Sequence, residues 1–216
     1  MTIFNSPYPS VGTIPNDLSL AQFVCSNPFN VPLDKVIIAE AEGDRLITLG
    51  GFLDDIKNVA SGIRHEIPSQ PAGIVAVISA NTLEYASLVL GIIGAGMVPS
   101  LVNPTSTNQE VQHALQLVAP ENLAAVFVSS ECREIVLEGI KLCKYQVAPR
   151  IFSMDTAQLK THQQLPLAGL TGPADKTLAA IYYSSGTTGL VSRIFPLFSK
   201  FAATDAFALT SRREPC

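Results

Sequence analysis

Apolar and polar positions along this chain switch repeatedly between two periods. Leu53, Ile56, Ala60, Ile63 and Ile67 recur at helical spacing, and Pro68 predicts the stop. Residues Gly73 to Ile78 then form an unbroken apolar run, the pattern of a strand buried on both faces of a parallel sheet. Helical spacing returns at Leu83, Tyr85, Leu88, Val89 and Ile92, with Asn81 or Thr82 as the predicted cap. Met97 to Val102 predicts the next strand, closed by Asn103-Pro104. Thr107-Asn108-Gln109-Glu110 has capping-box spacing ahead of Val111, Leu115 and Val118, and Pro120 ends that helix. A strand at Leu123 to Val128, a cap at Ser130, a helix over Ile135 to Tyr145 and a strand at Arg150 to Ser153 complete the series.

The flanks are less regular. Residues 1–16 are rich in Pro, Ser and Asn and read as an extended arm, followed by a short helix through Phe23 and Val24 that Asp17 or Ser19 caps. Val36 to Ala41 and Arg45 to Thr48 read as two short strands about the turn Glu42-Gly43-Asp44. Residues from about Gln158 to Asp175 carry Pro166, Gly169, Gly172 and Pro173 and read as a linker. Strands alternating with helices predict an α/β fold, a mostly parallel sheet with helices on both faces and right-handed crossovers. The expected division is an arm and short helix over 1–30, an α/β unit over 31–176, a strand and loop over 177–195, and a divergent, poorly ordered tail over 196–216. No internal repeat or low-complexity tract is present.

Charge and cysteine usage remove several functional classes. A net charge of −4 leaves no basic stripe for a nucleic acid. Cys25, Cys132, Cys143 and Cys216 have no metal-ligand spacing, and His65, His113 and His162 do not join them. They are expected to be idle thiols in a reducing compartment, with His113 and His162 solvated. The longest apolar run, Tyr85 to Pro99, is broken by Gly91, Gly94 and Gly96 and falls short of the roughly 20 residues that span a bilayer. Residues 1–7 lack a basic stretch followed by an apolar one, so no signal peptide is expected, and the predicted location is cytoplasmic.

Candidate chemistry concentrates in one stretch. The apolar run Leu178 to Tyr183 ends abruptly in Ser184-Ser185-Gly186-Thr187-Thr188-Gly189. Small residues pack poorly in a strand, but glycines let a backbone approach a ligand closely, and hydroxyls add donors around it. Convergent short donors on a loop held by a strand suit a polyphosphate. Two competing motifs fail. Gly91-Ile-Ile-Gly94-Ala-Gly96 sits late in a helix, with Pro99 in place of a third glycine, and is expected to serve close helix-to-sheet packing instead. The run Gly186 to Gly189 lacks the Gly-Lys-[Ser/Thr] ending of a Walker loop. Glu84 and Glu110 are expected to be a helix-surface charge and a cap.

Tyr183-Ser184-Ser185-Gly186-Thr187-Thr188-Gly189 resembles the phosphate-loop signature of the adenylate-forming enzymes, the acyl- and aryl-CoA ligases, luciferases and peptide-synthetase adenylation domains. Asn81-Thr-Leu-Glu84-Tyr85 and Gly94-Ala-Gly-Met-Val-Pro-Ser-Leu-Val-Asn103-Pro104 extend the resemblance more loosely over residues 30–190, and coumarate-CoA-ligase-like enzymes are the nearest subgroup. The resemblance implies the first subdomain of an adenylate-forming N-terminal domain, incomplete here. It implies ATP with Mg as the nucleotide, a small carboxylic acid as substrate, and coenzyme A as co-substrate of the complete enzyme.

By the same resemblance Ser184, Ser185, Gly186, Thr187, Thr188 and Gly189 contact phosphate, Thr187 and Thr188 foremost. Where the family reads x-Pro-Lys-Gly, this chain reads Leu190-Val191-Ser192-Arg193, so serine stands at the lysine position and Arg193 is the candidate cation. The residues after Pro196 do not resemble the family's continuation, and they do not end in the peroxisomal Ser-Lys-Leu. The expectation is a ligase portion that does not turn over alone and that associates through its uncovered apolar surface. Two alternatives stay open, a non-catalytic folding or interaction module built on the same subdomain and an unrelated α/β binding protein.

Overall fold

A computed structural model describes residues 15–67, 73–118, 122–161, 163–185 and 191–194. The predicted arm up to residue 14, the stops at Pro68 and Pro120, His162, Gly186 to Gly189 of the predicted loop, and the tail from Phe195 onward lie outside them.

The chain enters through a short helix α1 (Leu20–Cys25) that Ser19, not Asp17, caps. The Ser19 hydroxyl accepts from the Gln22 amide while the Gln22 side chain accepts from the Ser19 amide. Strands β1 (Val36–Ala39) and β2 (Leu46–Thr48) form a separate antiparallel hairpin, with Ala39 opposite Leu46. Helix α2 (Leu49–Glu66) begins on Thr48, whose hydroxyl accepts from the Gly51 amide.

Strands β3 (Ile74–Ile78), β4 (Val98–Val102), β5 (Leu123–Val128), β6 (Arg150–Ser153), β7 (Ile181–Ser185) and β8 (Val191–Ile194) make one sheet, ordered β6-β5-β3-β4-β7-β8. The first five of these strands are parallel, and β8 pairs antiparallel to β7 along the outer edge. Helices α3 (Tyr85–Gly94), α4 (Asn108–Leu117) and α5 (Arg133–Cys143) fill the crossovers.

Every residue of β3 is buried, which explains its unbroken apolar sequence. Its alternation still sorts the faces. Ile74, Ala76 and Ile78 pack with Val111 and Leu115 of α4 and Val136 and Ile140 of α5. Val75 and Val77 pack with Val59 and Ile63 of α2 and Leu88 and Ile92 of α3. The expected α/β sheet with helices on both faces is therefore observed.

Several local expectations are corrected. Neither Asn81 nor Thr82 caps α3; Glu84 occupies that position without a side-chain cap bond. Cys132, not Ser130, precedes α5, and that helix closes earlier than Tyr145, at Lys144 in the left-handed region (φ 53°). The glycines of α3 serve helix–helix rather than helix–sheet contact, since a Cβ on Gly91 would stand 2.5 Å from Cγ1 of Val59 on α2.

The predicted linker is a packed strap. Ala157–Thr161 forms a 3-10 helix with Leu159 fully buried against α2. The Leu165 amide donates to the Ser61 hydroxyl (2.8 Å), and the Ala168 amide donates to the Gly94 carbonyl (2.7 Å). Pro and Gly mark where the strap bends, while its leucines supply the apolar contacts that composition alone conceals.

Candidate functional site

Five parallel strands bring their carboxyl ends to one edge of the sheet, and β7 reaches that edge beside β4, with Ser100 opposite Ile181 and Leu101 opposite Tyr182. The residues that place β7 there alternate. Ile181 is buried in the core beneath α4 and α5, and Tyr183 packs against the same core. Tyr182 takes the other face, where burial, with a lesser contribution from Tyr182, pushes the Tyr85 hydroxyl above its ordinary pKa.

The hydroxyl of Tyr183 lies 2.7 Å from the Ser100 hydroxyl and donates to the Ala114 carbonyl of α4 at 3.1 Å. Sequence reasoning missed this trio. Its signal was Ser100, the lone polar side chain in the apolar run Met97 to Val102.

The predicted loop residues are only partly placed. Ser184 and Ser185 end β7 opposite Ser192 and Val191, and Arg193 lies opposite Tyr183. Gly186, Thr187, Thr188 and Gly189 lie outside the described residues. Ser185 and Val191, on either side of residues 186–190, are paired with each other at the carboxyl edge, and Ser192, the position where the resemblance calls for a lysine, belongs to β8.

Around that edge Asn103 and Glu110 are already engaged. Asn103, leaving β4, accepts from the amide and the hydroxyl of Thr105 at 3.0 and 2.9 Å. Glu110 is the expected cap of α4, accepting from the Thr107 amide at 2.7 Å and its hydroxyl at 3.0 Å. Those two bonds, the amide's first, hold its carboxyl below the ordinary value. A cavity of about 150 Å³ opens between them, lined by Val102, Asn103, Ser106, Glu110, Ala114 and Tyr183. Among the described residues, no group of three or more His, Cys, Asp or Glu side chains is arranged to hold a metal ion. No described helix is long and apolar enough to cross a membrane.

Glu84 is not a plain surface charge. It sits at the start of α3 and accepts from Arg45 of the hairpin at 2.5 Å. Burial raises the Glu84 carboxyl pKa, but the bond from Arg45, its own backbone amide and the Arg45 charge outweigh that, so the net shift is downward. A depressed folded pKa contributes stability above the unfolded value, about 4.3 for glutamate, that is lost as pH falls through the folded value. Glu84→Gln is therefore expected to lower the unfolding midpoint at neutral pH and to merge with the unsubstituted chain in acid. Urea melts across pH 2 to 7 check this, and a constant offset at every pH would refute it.

An open α/β domain, wound on both faces of a parallel sheet whose carboxyl edge leads into a Ser/Thr/Gly-rich segment, is the class that fold and sequence together define. The family model of the AMP-binding enzymes matches residues 28–191, and this chain belongs to that family. It is 27% identical over 195 residues to 4-coumarate–CoA ligase-like 1 of Arabidopsis thaliana, covering 87% of this chain and 34% of that protein. It is 27% identical over 207 residues to probable 4-coumarate–CoA ligase 1 of Dictyostelium discoideum, covering 88% of this chain and 37% of the relative. The chain thus spans about a third of the length of these relatives. A long-chain-fatty-acid-CoA ligase from Archaeoglobus fulgidus superposes with a TM-score of 0.74 at 19% identity, over 96% of this chain and 42% of the other, which establishes the shared fold.

Proposed function

We propose that this chain forms the ATP-facing first portion of an acid–thiol ligase, in which a carboxylic acid is activated as its acyl-adenylate and passed to a thiol such as coenzyme A. Residues 31–176 supply the sheet and its helices, and 177–195 supply the strand and phosphate loop. The observation that supports the reading is the position of β7, which ends with Ser184 and Ser185 at the carboxyl edge of a parallel sheet, where open α/β folds bind their ligands. Family membership and the likeness to coumarate–CoA ligases support the same assignment.

The donor set suits the triphosphate of ATP. Ser184, Ser185, Thr187 and Thr188 offer hydroxyls, Gly186 and Gly189 permit close backbone approach, and Arg193 is the nearby cation. Mg²⁺ would enter on the phosphates, as this ion commonly does, with few protein ligands of its own. Bound ATP supplies the electrophilic α-phosphorus, and the chain's contribution is to orient and neutralise the phosphates beyond it. Completion of the acid pocket and the thiol-transfer step are assigned to the remaining length that the relatives possess.

Retention of labelled Mg·ATP by the purified chain tests the reading. Thr187→Ala and Thr188→Ala are each expected to weaken retention by about tenfold, as loss of one charge-assisted hydrogen bond does. Unchanged binding in both would remove the loop from the assignment. Acid-dependent exchange of pyrophosphate into ATP is expected to be absent from this chain alone, and its presence would show that no further segment is needed.

A further inference from the structure

We infer that Tyr183 is a positioning residue that anchors the end of β7, and so the start of the phosphate loop, to helix α4. This rests on the proposed role of the loop. The geometry begins with Ser100, a fully buried hydroxyl on β4 amid apolar neighbours. A buried hydroxyl in such a place requires a partner, and the Tyr183 hydroxyl stands 2.7 Å away.

A phenol carries one proton. Tyr183 donates it to the Ala114 carbonyl at 3.1 Å, so the short contact to Ser100 must run from the serine hydroxyl to the tyrosine oxygen. The chain is thus Ser100 to Tyr183 to Ala114, linking β4, β7 and α4 in one direction. Ala114 lies in the last turn of α4, where helix carbonyls run short of internal partners.

Tyr183 packs against the core and, with Ala114, lines the cavity of about 150 Å³ at the carboxyl edge. The hydroxyl bonds tie the end of its side chain to β4 and α4. Ser184 and Ser185, which begin the Ser/Thr/Gly run and end β7, follow directly in the chain, and β8, which pairs with them, runs beside α4. An anchor at Tyr183 therefore fixes the strand end that must hold backbone donors in register with phosphate oxygens, where small misplacements are costly.

The test uses the 216-residue chain and labelled Mg·ATP. Tyr183→Phe is expected to weaken ATP binding about tenfold, yet it also strands the Ser100 hydroxyl and so lowers stability. The double variant Ser100→Ala with Tyr183→Phe removes that stranded hydroxyl, and its thermal midpoint is expected to recover most of the loss. ATP affinity is expected to stay tenfold down in the double variant, because the tether to α4 is still missing. Ser100→Ala alone, which keeps the tether, is expected to bind within threefold of the unsubstituted chain.

If the Thr187 and Thr188 variants lose ATP while the double variant binds within twofold of the parent, the anchor is refuted and the loop assignment stands. If affinity in the double variant recovers along with its midpoint, Tyr183 is structural only, and the inference fails. If the parent chain itself retains no ATP, the loop reading fails and takes the anchor with it.

Discussion

Truncating Phe127 to alanine is expected to cost about 4 kcal/mol of folding stability. Phe127 sits near the carboxyl end of β5 with no solvent exposure, and its ring stacks on Phe152 of β6 with centroids 5.0 Å apart and planes 17° from parallel. The same core cluster holds Ile63 of α2 and Leu159 of the strap, so the emptied volume would lie in a core built from sheet, helix and strap together. A fully buried, close-packed site relaxes only in part around a void, which puts the loss toward the upper part of the usual range.

Phe152 would also lose its stacking partner, while Arg150, 4.9 Å above the Phe152 ring and bound to Glu66 of α2, would stay engaged on its outer side. Urea unfolding at one pH measures the effect as a lower midpoint at unchanged slope. A loss below about 1 kcal/mol would mean that the site collapses freely and that the stacked pair is peripheral. Phe127→Leu, which keeps most of the volume, is expected to cost less than half as much.

Gly62→Ala carries the second large effect, and its sign opposes helix propensity. Inside a solvated helix, alanine in place of glycine stabilises by about 1 kcal/mol. At Gly62 the added Cβ would stand 2.2 Å from the Leu159 carbonyl oxygen, 2.6 Å from the Leu159 Cβ and 2.7 Å from its Cα. Two of these three are backbone atoms that no rotamer change can move. The whole segment Ala157–Thr161 would have to lift from α2, uncovering the fully buried Leu159 and straining the Lys160–Asp55 ion pair at 2.7 Å.

Overpacking and lost burial together are expected to leave Gly62→Ala about 3 kcal/mol less stable. Gly51→Ala is the control in the same helix, where the nearest atom to an added Cβ is the Thr48 hydroxyl at an ordinary 3.5 Å. That variant is expected to be neutral or slightly stabilising. Thermal or urea melts of both variants decide the matter, and equal behaviour of the two would refute the close approach at Leu159.

How much of this was legible in the sequence depended on whether the signal was local. The Thr107–Glu110 capping box was readable because both of its bonds span three residues. The buried strands β3 and β5 were readable because parallel strands covered on both faces have no polar side to interrupt them. The cap of α3 was misread because Asn81 and Thr82 are good cap residues, yet the chain turns until Glu84, which Arg45 of the distant hairpin holds. Leu159 looked like linker because its partners lie in α2, about a hundred residues earlier.

The candidate site divides in the same way. The run Ser184 to Gly189 announces itself by residue type alone, and Asn103-Pro104 marks the turn beside it. Arg193 was legible as a nearby cation, but its register opposite Tyr183 was not, since β8 exists only by pairing with β7. Ser100 was legible as an oddity among apolar residues, without any hint that its partner stood 83 positions away.

By itself the sequence determined the order of strands and helices, their faces, and the chemical character of the loop, because period, caps and small-residue runs act over a few neighbours. Only the tertiary structure decided that β5 lies on the far side of β3 from β4, that residues 157–168 strap the α2–α3 layer, and that Ser100 and Ala114 meet at Tyr183. Those choices rest on which buried surfaces and which lone hydroxyls find each other across the chain. Such partners are selected by the free energy of the whole packed core and leave no periodic mark on the segment that carries them.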